Sequence, residues 1–243
     1  MKKLFFVVSL MMVLVMAPMV MATQLTVNRY GGYYSGSGGE FTLSGTDIIP
    51  FQIYYSPSTK DQMVKDSIQS FCVERDEYVS GSGPYNFNVN FQAVAGGNNT
   101  NAGDPLSVGA AWLYHEFQLG TLQGITASGD PYAYNYTKGA SRAADAGLLQ
   151  NAIWWLEQEV NDPGNTNPFR NAVLTKYTTE VAARADNSGI IPVGVLNLYS
   201  YNTQGELVLN QDMLVCVPEP ATMLLLGSGL IGLAGFARRK FRK

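Results

Sequence analysis

The sequence predicts an α+β fold, in which β-sandwich or barrel-like strands lie on both sides of a helical insertion. Two segments, residues 50–54 and 86–91, alternate along the chain with the period of a strand. Two later segments repeat apolar residues every three or four positions, as amphipathic helices do. Strand-like sequence then returns near the end of the chain. This order of strands, helices and strands favours an α+β fold over an alternating βαβ fold.

The first part of the domain is expected to consist of strands joined by turns. Residues 24–91 are rich in Tyr, Thr, Val, Ile and Phe, and short runs of Gly and Ser interrupt them. The helical insertion follows. Its first helix is predicted from the spacing of Leu106, Ala110, Leu113 and Phe117. Its second helix is predicted from the spacing of Ala146, Leu149, Ile153, Leu156 and Val160.

The last part of the domain returns to strands. Pro163 and Gly164 are expected to end the second helix, and residues 171–185 favour a weaker third helix. Residues 190–201 and 207–215 are expected to pair as a β-hairpin. The domain boundaries that follow are residues 23–216, between a leader at 1–22 and a tail at 217–243.

The composition excludes several classes of function. Charged residues make up 14% of the 243 positions, and the formal net charge is −3, which argues against a basic nucleic-acid-binding protein. One His and two Cys are too few for a multi-His metal site, a zinc ribbon or a disulfide-dense scaffold. We therefore expect no metal, no cofactor and no nucleic-acid partner. With one His and no acid–base constellation, a turnover enzyme is not expected either.

The leader has the layout of a secretory signal peptide. Lys2 and Lys3 precede an apolar run, and the small residues Val20 and Ala22 flank a predicted cleavage point. An uncleaved membrane anchor is the alternative. Export would place the domain in an oxidising or extracytoplasmic compartment.

The tail has the layout of a sorting signal. Pro218, Glu219 and Pro220 precede a Gly-rich apolar stretch that is barely long enough for one transmembrane helix, and a basic cluster with Arg238 and Arg239 follows it. This order resembles the PEP-CTERM sorting signal of Gram-negative bacteria that make extracellular polysaccharide. The resemblance implies recognition by an exosortase-type membrane protease, loss of the tail, and delivery to the cell surface or extracellular matrix. A plain C-terminal anchor is the alternative.

Two short motifs in the domain carry possible chemistry. Cys72 lies between Phe71 and Val73, and Gln150 lies on the second predicted helix just before Ile153 and Trp154. These segments resemble the Cys-Gln thioester domains, of the TQXA-like type, in bacterial surface adhesins. The resemblance implies that the Cys72 thiolate attacks the Gln150 carboxamide and that ammonia leaves. The product is a thioester that a surface amine or hydroxyl can open.

The residue types suit that chemistry on physical grounds. A thioester needs a sulfur nucleophile and an acyl donor held together, beside an apolar wall that excludes water. Trp154 follows Gln150 by four residues, so both lie on one patch of the helix, and Ile153 borders that patch. Two alternatives stay open. One is a non-covalent polysaccharide-binding module, and the other is a structural matrix protein with a disulfide between Cys72 and Cys216.

Overall fold

The structure is a computed structural model of the chain. It describes residues 24–36, 38–54, 66–94, 103–122, 126–127, 130–131 and 134–217. The predicted signal peptide at residues 1–22 lies outside this range, and so does the predicted transmembrane helix of the tail. Within the described ranges, no helix combines the length and apolar character needed to cross a bilayer.

Ten strands and four α-helices make up the described chain, together with one 3-10 helix at Thr46–Tyr54. The strands are β1 (Gln24–Asn28), β2 (Phe41–Ser44), β3 (Ser67–Ser70), β4 (Tyr85–Asn90), β5 (Gln92–Ala93), β6 (Asp104–Pro105), β7 (Thr126–Ala127), β8 (Asp130–Pro131), β9 (Val193–Tyr201) and β10 (Leu207–Cys216). The helices are α1 (Val108–Leu119), α2 (Ala140–Leu156), α3 (Pro168–Tyr177) and α4 (Glu180–Ala183). All four helices lie between the early strands and the β9–β10 hairpin, so the predicted α+β order with a helical insertion is confirmed.

Six strands form an antiparallel sheet in the order β10-β9-β4-β1-β2-β3. The chain after β3 also pairs with β10 through an antiparallel bridge between Cys72 and Met213. Backbone hydrogen bonds on either side support this bridge, from Val73 N to Asp212 O at 2.9 Å and from Leu214 N to Phe71 O at 3.0 Å. This contact joins the two outer strands, so the sheet closes into a six-stranded barrel and its edges are covered.

Side chains on the two faces of this sheet belong to different cores. Cys72, Met213 and Val215 pack into the barrel interior with residues of β1 to β4. Their neighbours Phe71 and Leu214 point the other way, into a second core beneath the helices. This alternation is the period-two geometry of a strand. The barrel therefore has one face toward its own interior and, along β10, a second face covered by helices.

The helix ends carry the expected caps. The Ser107 side chain accepts a hydrogen bond from Ala110 N at the start of α1, and Gly120 ends that helix with φ +72°. The Asn167 side chain accepts hydrogen bonds from two backbone N–H groups in the first turn of α3, those of Phe169 and Arg170. Thr179 caps α4 in the same way. These caps satisfy backbone donors that have no partner within the helix.

Three element boundaries differ from the sequence prediction. Residues 50–54 belong to the 3-10 helix and not to a strand. Pro50 lacks the N–H that a ladder needs, and five alternating residues are too few to distinguish the two conformations. The second helix ends at Leu156, before Pro163, because Gln158 takes φ +66°. The third helix is divided in two at Thr178, whose φ is +68°.

A buried ion pair fastens the helices to the barrel. Glu40, just before β2, and Arg142, in the first turn of α2, are 0% and 2% exposed. Two parallel hydrogen bonds join them, from Arg142 Nε at 2.6 Å and from its Nη2 at 2.7 Å. The Tyr134 hydroxyl also donates to Glu40, at 2.5 Å, and the Arg142 Nη1 donates to the carbonyl of Tyr136. Both charges therefore have partners although water is excluded.

We expect Arg142→Met to lower the free energy of unfolding by about 3–5 kcal/mol, because it leaves the Glu40 carboxylate buried without a cation. Arg170→Met is the matched control. It removes a partly exposed pair with Asp162, 2.6 Å away, and should cost less than about 1 kcal/mol. Urea unfolding of both variants measures the difference. Equal losses would show that the Glu40–Arg142 pair does not fasten the two parts together.

Candidate functional site

Cys72 lies where the barrel closes and where α2 approaches it. Its side chain belongs to the barrel interior and is 3% exposed. Trp154 is the one residue of α2 that joins the same core, and it is 7% exposed. Helix α2 therefore inserts an indole beside the cysteine. Its neighbours in the chain, Ile153 and Trp155, pack into the second core beneath the helices.

The Gln150 carboxamide is held against the backbone of Cys72. Its Oε1 accepts hydrogen bonds from Cys72 N at 3.0 Å and from Gly39 N at 3.2 Å. Its Nε2 donates to Cys72 O at 2.8 Å. Gln150 is 1% exposed, so none of these bonds competes with bulk water. The structure thus brings together the two residues that the sequence motifs single out, across 78 positions of chain.

The reason for this contact is a gap in the ladder between β2 and β3. Their pairing runs up to Phe41 opposite Ser70 and then stops. Beyond that point, Gly39 N and both backbone groups of Cys72 would lack the partners that a continued ladder would supply. The Gln150 carboxamide fills the gap and satisfies all three groups. The helix therefore completes the sheet with a side chain.

Gly38 allows this close approach. A Cβ at that position would lie 2.7 Å from Trp154 Cη2 and 2.8 Å from Gln150 Cγ, which is closer than side-chain atoms can pack. Its φ of +113° is also a conformation that favours glycine. The Gly-rich run, which the sequence indicates only as a turn, is therefore part of the site. The sequence gives no signal that Arg29, Gly38 and Gly39 belong to this site, since no local pattern connects them to Cys72.

A cleft of about 820 Å³ opens beside Cys72 and Trp154. This volume lies within the range of about 300–1,000 Å³ that is typical of ligand sites. Its wall comes from the loop before β2, the segment after β3, and the end of α2. Cys72 therefore lines a cleft that is open to solvent, and the buried Gln150 carboxamide lies behind it, against the Cys72 backbone.

Burial dominates the acidity of the Cys72 thiol. It raises the thiol pKa well above its usual value, while the charge of Arg29 lowers it and that of Glu77 raises it. The thiol is therefore protonated at neutral pH. Arg29 is held in place by a hydrogen bond to the carbonyl of Val79 at 3.1 Å, and its guanidinium lies over the rings of Tyr34 and Phe41.

Several carboxyl groups lie around the cleft and behind it. Burial is the main cause that raises the pKa of Glu77 to about 8, and the charge of Asp212 adds to it. Burial likewise raises the pKa of Glu157 to about 8 and raises that of Glu74, which also faces Glu159. In the described part of the chain, no three such groups are arranged to hold a metal ion.

Other residues of the sequence prediction lie elsewhere. Ile153 is fully buried in the helical core, so it supports α2 and does not line the cleft. Cys216 belongs to that same core, on the opposite face of the sheet from Cys72. Both cysteines are free, and Cys72 pairs with Met213, about 10 Å along the strand from Cys216. The alternative prediction of a Cys72–Cys216 disulfide is therefore wrong, because such a bond needs Cα atoms within about 7 Å of each other.

The sorting residues Pro218, Glu219, Pro220, Arg238 and Arg239 lie outside the described residues. The comparison with known families supports their assignment. The PEP-CTERM protein-sorting motif matches residues 217–243. The chain is thus an exported protein that exosortase, a membrane protease, recognises and that is processed at the membrane before release. No match was found among curated proteins or among solved structures.

We expect Gly38→Ala to destabilise the fold more than Gly36→Ala does. Both glycines have positive φ, so each substitution costs about 1–2 kcal/mol in backbone strain. Only at Gly38 does the new Cβ also collide with Trp154 and Gln150, which adds about 1–3 kcal/mol. Chemical unfolding of the two variants tests this. A similar loss in both would mean that the Gly38 loop does not press on α2.

We also expect the protein to be more stable at pH 5 than at pH 8. The ordinary pKa of Glu77 and Glu157 is 4.5, and in the folded state it is about 8. Between these values the folded state binds protons that the unfolded chain releases, so stability falls as pH rises. The melting temperature should drop by roughly 5–10 °C from pH 5 to pH 8.

Glu157→Gln is the matched variant for this pH dependence. Its remaining oxygen can still accept from Ser107 N and Oγ, as Glu157 Oε1 does at 3.2 and 2.6 Å. The variant should therefore keep its stability at pH 5 and lose less of it by pH 8. A melting temperature that rises from pH 5 to pH 8 would contradict the proposed protonation of these groups.

Proposed function

We propose that this exported protein is an adhesin-like module of the cell surface or extracellular matrix, and that an internal thioester between Cys72 and Gln150 attaches it covalently to a partner. One observation carries the proposal. The Gln150 carboxamide is held by three hydrogen bonds, two of them to the backbone of Cys72, and Cys72 lines an open cleft. Such a module reacts once with its partner and has no turnover.

The bond-forming step exchanges an amide for a thioester. The Cys72 sulfur attacks the Gln150 side-chain carbonyl carbon, the C–N bond breaks, and ammonia leaves with the thiol proton. No oxidant or cofactor is needed. Since burial keeps the thiol protonated, a general base must first remove that proton. Glu77 lines the same cleft, and its pKa of about 8 leaves a fraction of the carboxyl ionised near neutral pH, so we assign it this role.

The two backbone donors on Gln150 Oε1 favour this step. Attack on the carbonyl carbon places negative charge on Oε1, and the N–H groups of Cys72 and Gly39 already point at that atom. Fixed donors at a developing oxyanion lower the barrier because they need no reorganisation. Holding both reactants in one geometry also replaces the entropy cost of a bimolecular encounter. The gap in the β2–β3 ladder thus supplies both the donors and the alignment.

The surroundings would also preserve the product. Water must be kept from a thioester that waits for its partner. Cys72 and Gln150 are 3% and 1% exposed, and the indole of Trp154 packs beside them. Arg29 would in turn stabilise the thiolate that leaves when a partner opens the bond, since its charge lowers the pKa of Cys72. A protected acyl donor and an assisted leaving group are what single-use attachment requires.

The test is the intact mass of the exported protein before and after treatment with methylamine. We expect a deficit of one ammonia before treatment, then a gain of one methylamine on Gln150 and the appearance of a free thiol at Cys72. Cys72→Ala and Gln150→Glu should abolish both changes. Gln150→Glu keeps the side-chain shape and lacks the amide that leaves.

Cys216→Ala is the matched control, because it removes the other buried cysteine and should leave the deficit and the adduct intact. The same spectrum should show a chain that ends near residues 218–220, without the basic tail. A chain with no ammonia deficit and no methylamine adduct has no thioester, and the site would then be a structural contact beneath a binding cleft.

A further inference from the structure

The cleft has features that point to the chemical class of the partner. Tyr78 stands on its wall with 75% of its surface exposed, although the residue after it, Val79, is buried. An exposed aromatic ring beside a cavity is a stacking surface for a flat apolar face. The ring has no role in the barrel core or in holding Gln150. It is therefore available to a ligand.

A second feature is a buried donor without a partner. Trp154 lines the cleft and is 7% exposed, and its indole N–H makes no hydrogen bond within the described part of the chain. Leaving such a donor unpaired costs about 1–3 kcal/mol. An acceptor oxygen on a ligand would remove that cost once the indole turns this N–H toward the cleft. The ligand's acceptor would then lie within one helical turn of Gln150.

The remaining wall is rich in groups that both donate and accept. Four amide side chains line it, those of Asn151, Gln158, Asn161 and Gln211. Amides offer an oxygen acceptor and two N–H donors each, which suits a ligand whose hydroxyls also do both. A sugar ring presents such hydroxyls around its edge and apolar C–H groups on its face. The C–H face fits the ring of Tyr78.

The charges in the cleft argue against a lysine partner. Two arginines and two glutamates of the described chain line the wall, and Glu77 is largely protonated at neutral pH, so the wall has no net negative charge to attract an ammonium group. Arg29 lines the cleft together with Cys72, and its positive charge disfavours an approaching ammonium. A neutral hydroxyl does not meet this repulsion.

We propose that the cleft binds a neutral oligosaccharide segment and that a sugar hydroxyl opens the thioester. This inference rests on the proposed function. The hydroxyl oxygen attacks the Gln150 carbonyl carbon, the C–S bond breaks, and an ester forms. The hydroxyl proton ends on the Cys72 sulfur. Nothing else is consumed, and the protein is left esterified to the glycan.

The experiment compares rates of adduct formation by mass spectrometry on the exported protein. The probes are maltohexaose and cellohexaose. Glycerol at equal hydroxyl concentration is the reference, as a hydroxyl compound that the cleft is not expected to bind. Nα-acetyl-lysine methylamide is compared with methylamine in the same way. We expect at least one hexasaccharide to exceed glycerol by about tenfold or more, since binding orients the hydroxyl. The lysine probe should not exceed methylamine.

Tyr78→Ala tests the stacking surface. It should slow the hexasaccharide reaction by about three- to tenfold and leave the methylamine rate unchanged. Tyr201→Ala is the matched control, because Tyr201 is 60% exposed and does not line the cleft. It should change neither rate. In the unreactive Gln150→Glu variant, the hexasaccharide should still quench tryptophan fluorescence, and Tyr78→Ala should weaken that binding.

The outcomes separate the two proposals. If methylamine reacts but neither hexasaccharide exceeds glycerol, the thioester stands and the saccharide inference is overturned. If the lysine probe shows the large enhancement, the partner is a protein amine and the inference is equally overturned. If methylamine does not react at all, the thioester itself fails, and the covalent saccharide step fails with it.

Discussion

The ion pair between Glu40 and Arg142 determines how the two parts of the molecule are joined. It links the residue before β2 to the first turn of α2, with both side chains nearly inaccessible to water. A buried pair of this kind tolerates little change in geometry, because any displacement leaves a charge unpaired. It thereby sets the height and rotation of α2 on the barrel. Gln150 and Trp154 reach Cys72 because they lie on the same helix, two and three turns farther on.

The second constraint is the gap at the mouth of the barrel. Where β2 and β3 part, three backbone groups need partners, and an unpaired buried amide is costly. The Gln150 carboxamide supplies these partners, so it would be held in place even if no thioester formed. The same bonds place two N–H donors on the oxygen that must carry negative charge in the proposed reaction. The same three hydrogen bonds thus give the backbone groups their partners and would activate the carbonyl in the proposed reaction.

The sequence predicts the larger part of this architecture. Periodicity is strong where elements are long, and so α1, α2 and the β9–β10 hairpin are confirmed. It fails for residues 50–54, where a proline interrupts too short a pattern, and at Gln158 and Thr178, where positive φ values end helices without a Gly or Pro signal. The Cys72 and Gln150 motifs were recognisable as local patterns. Gly38, Arg29 and the Glu40–Arg142 pair were not, because each acts through contacts between distant segments.

The separation of Cys72 and Gln150 in the chain has a consequence for the timing of the proposed chemistry. Before folding, the two residues are an ordinary thiol and an ordinary amide, 78 positions apart. The reactive arrangement needs the closed barrel, the docked helix and the Gly38 loop together, since each contributes a contact to the carboxamide. A chain that is exported unfolded therefore holds no electrophile that could react during passage. The proposed thioester could form only after folding, when the cleft proposed to bind its partner is also complete.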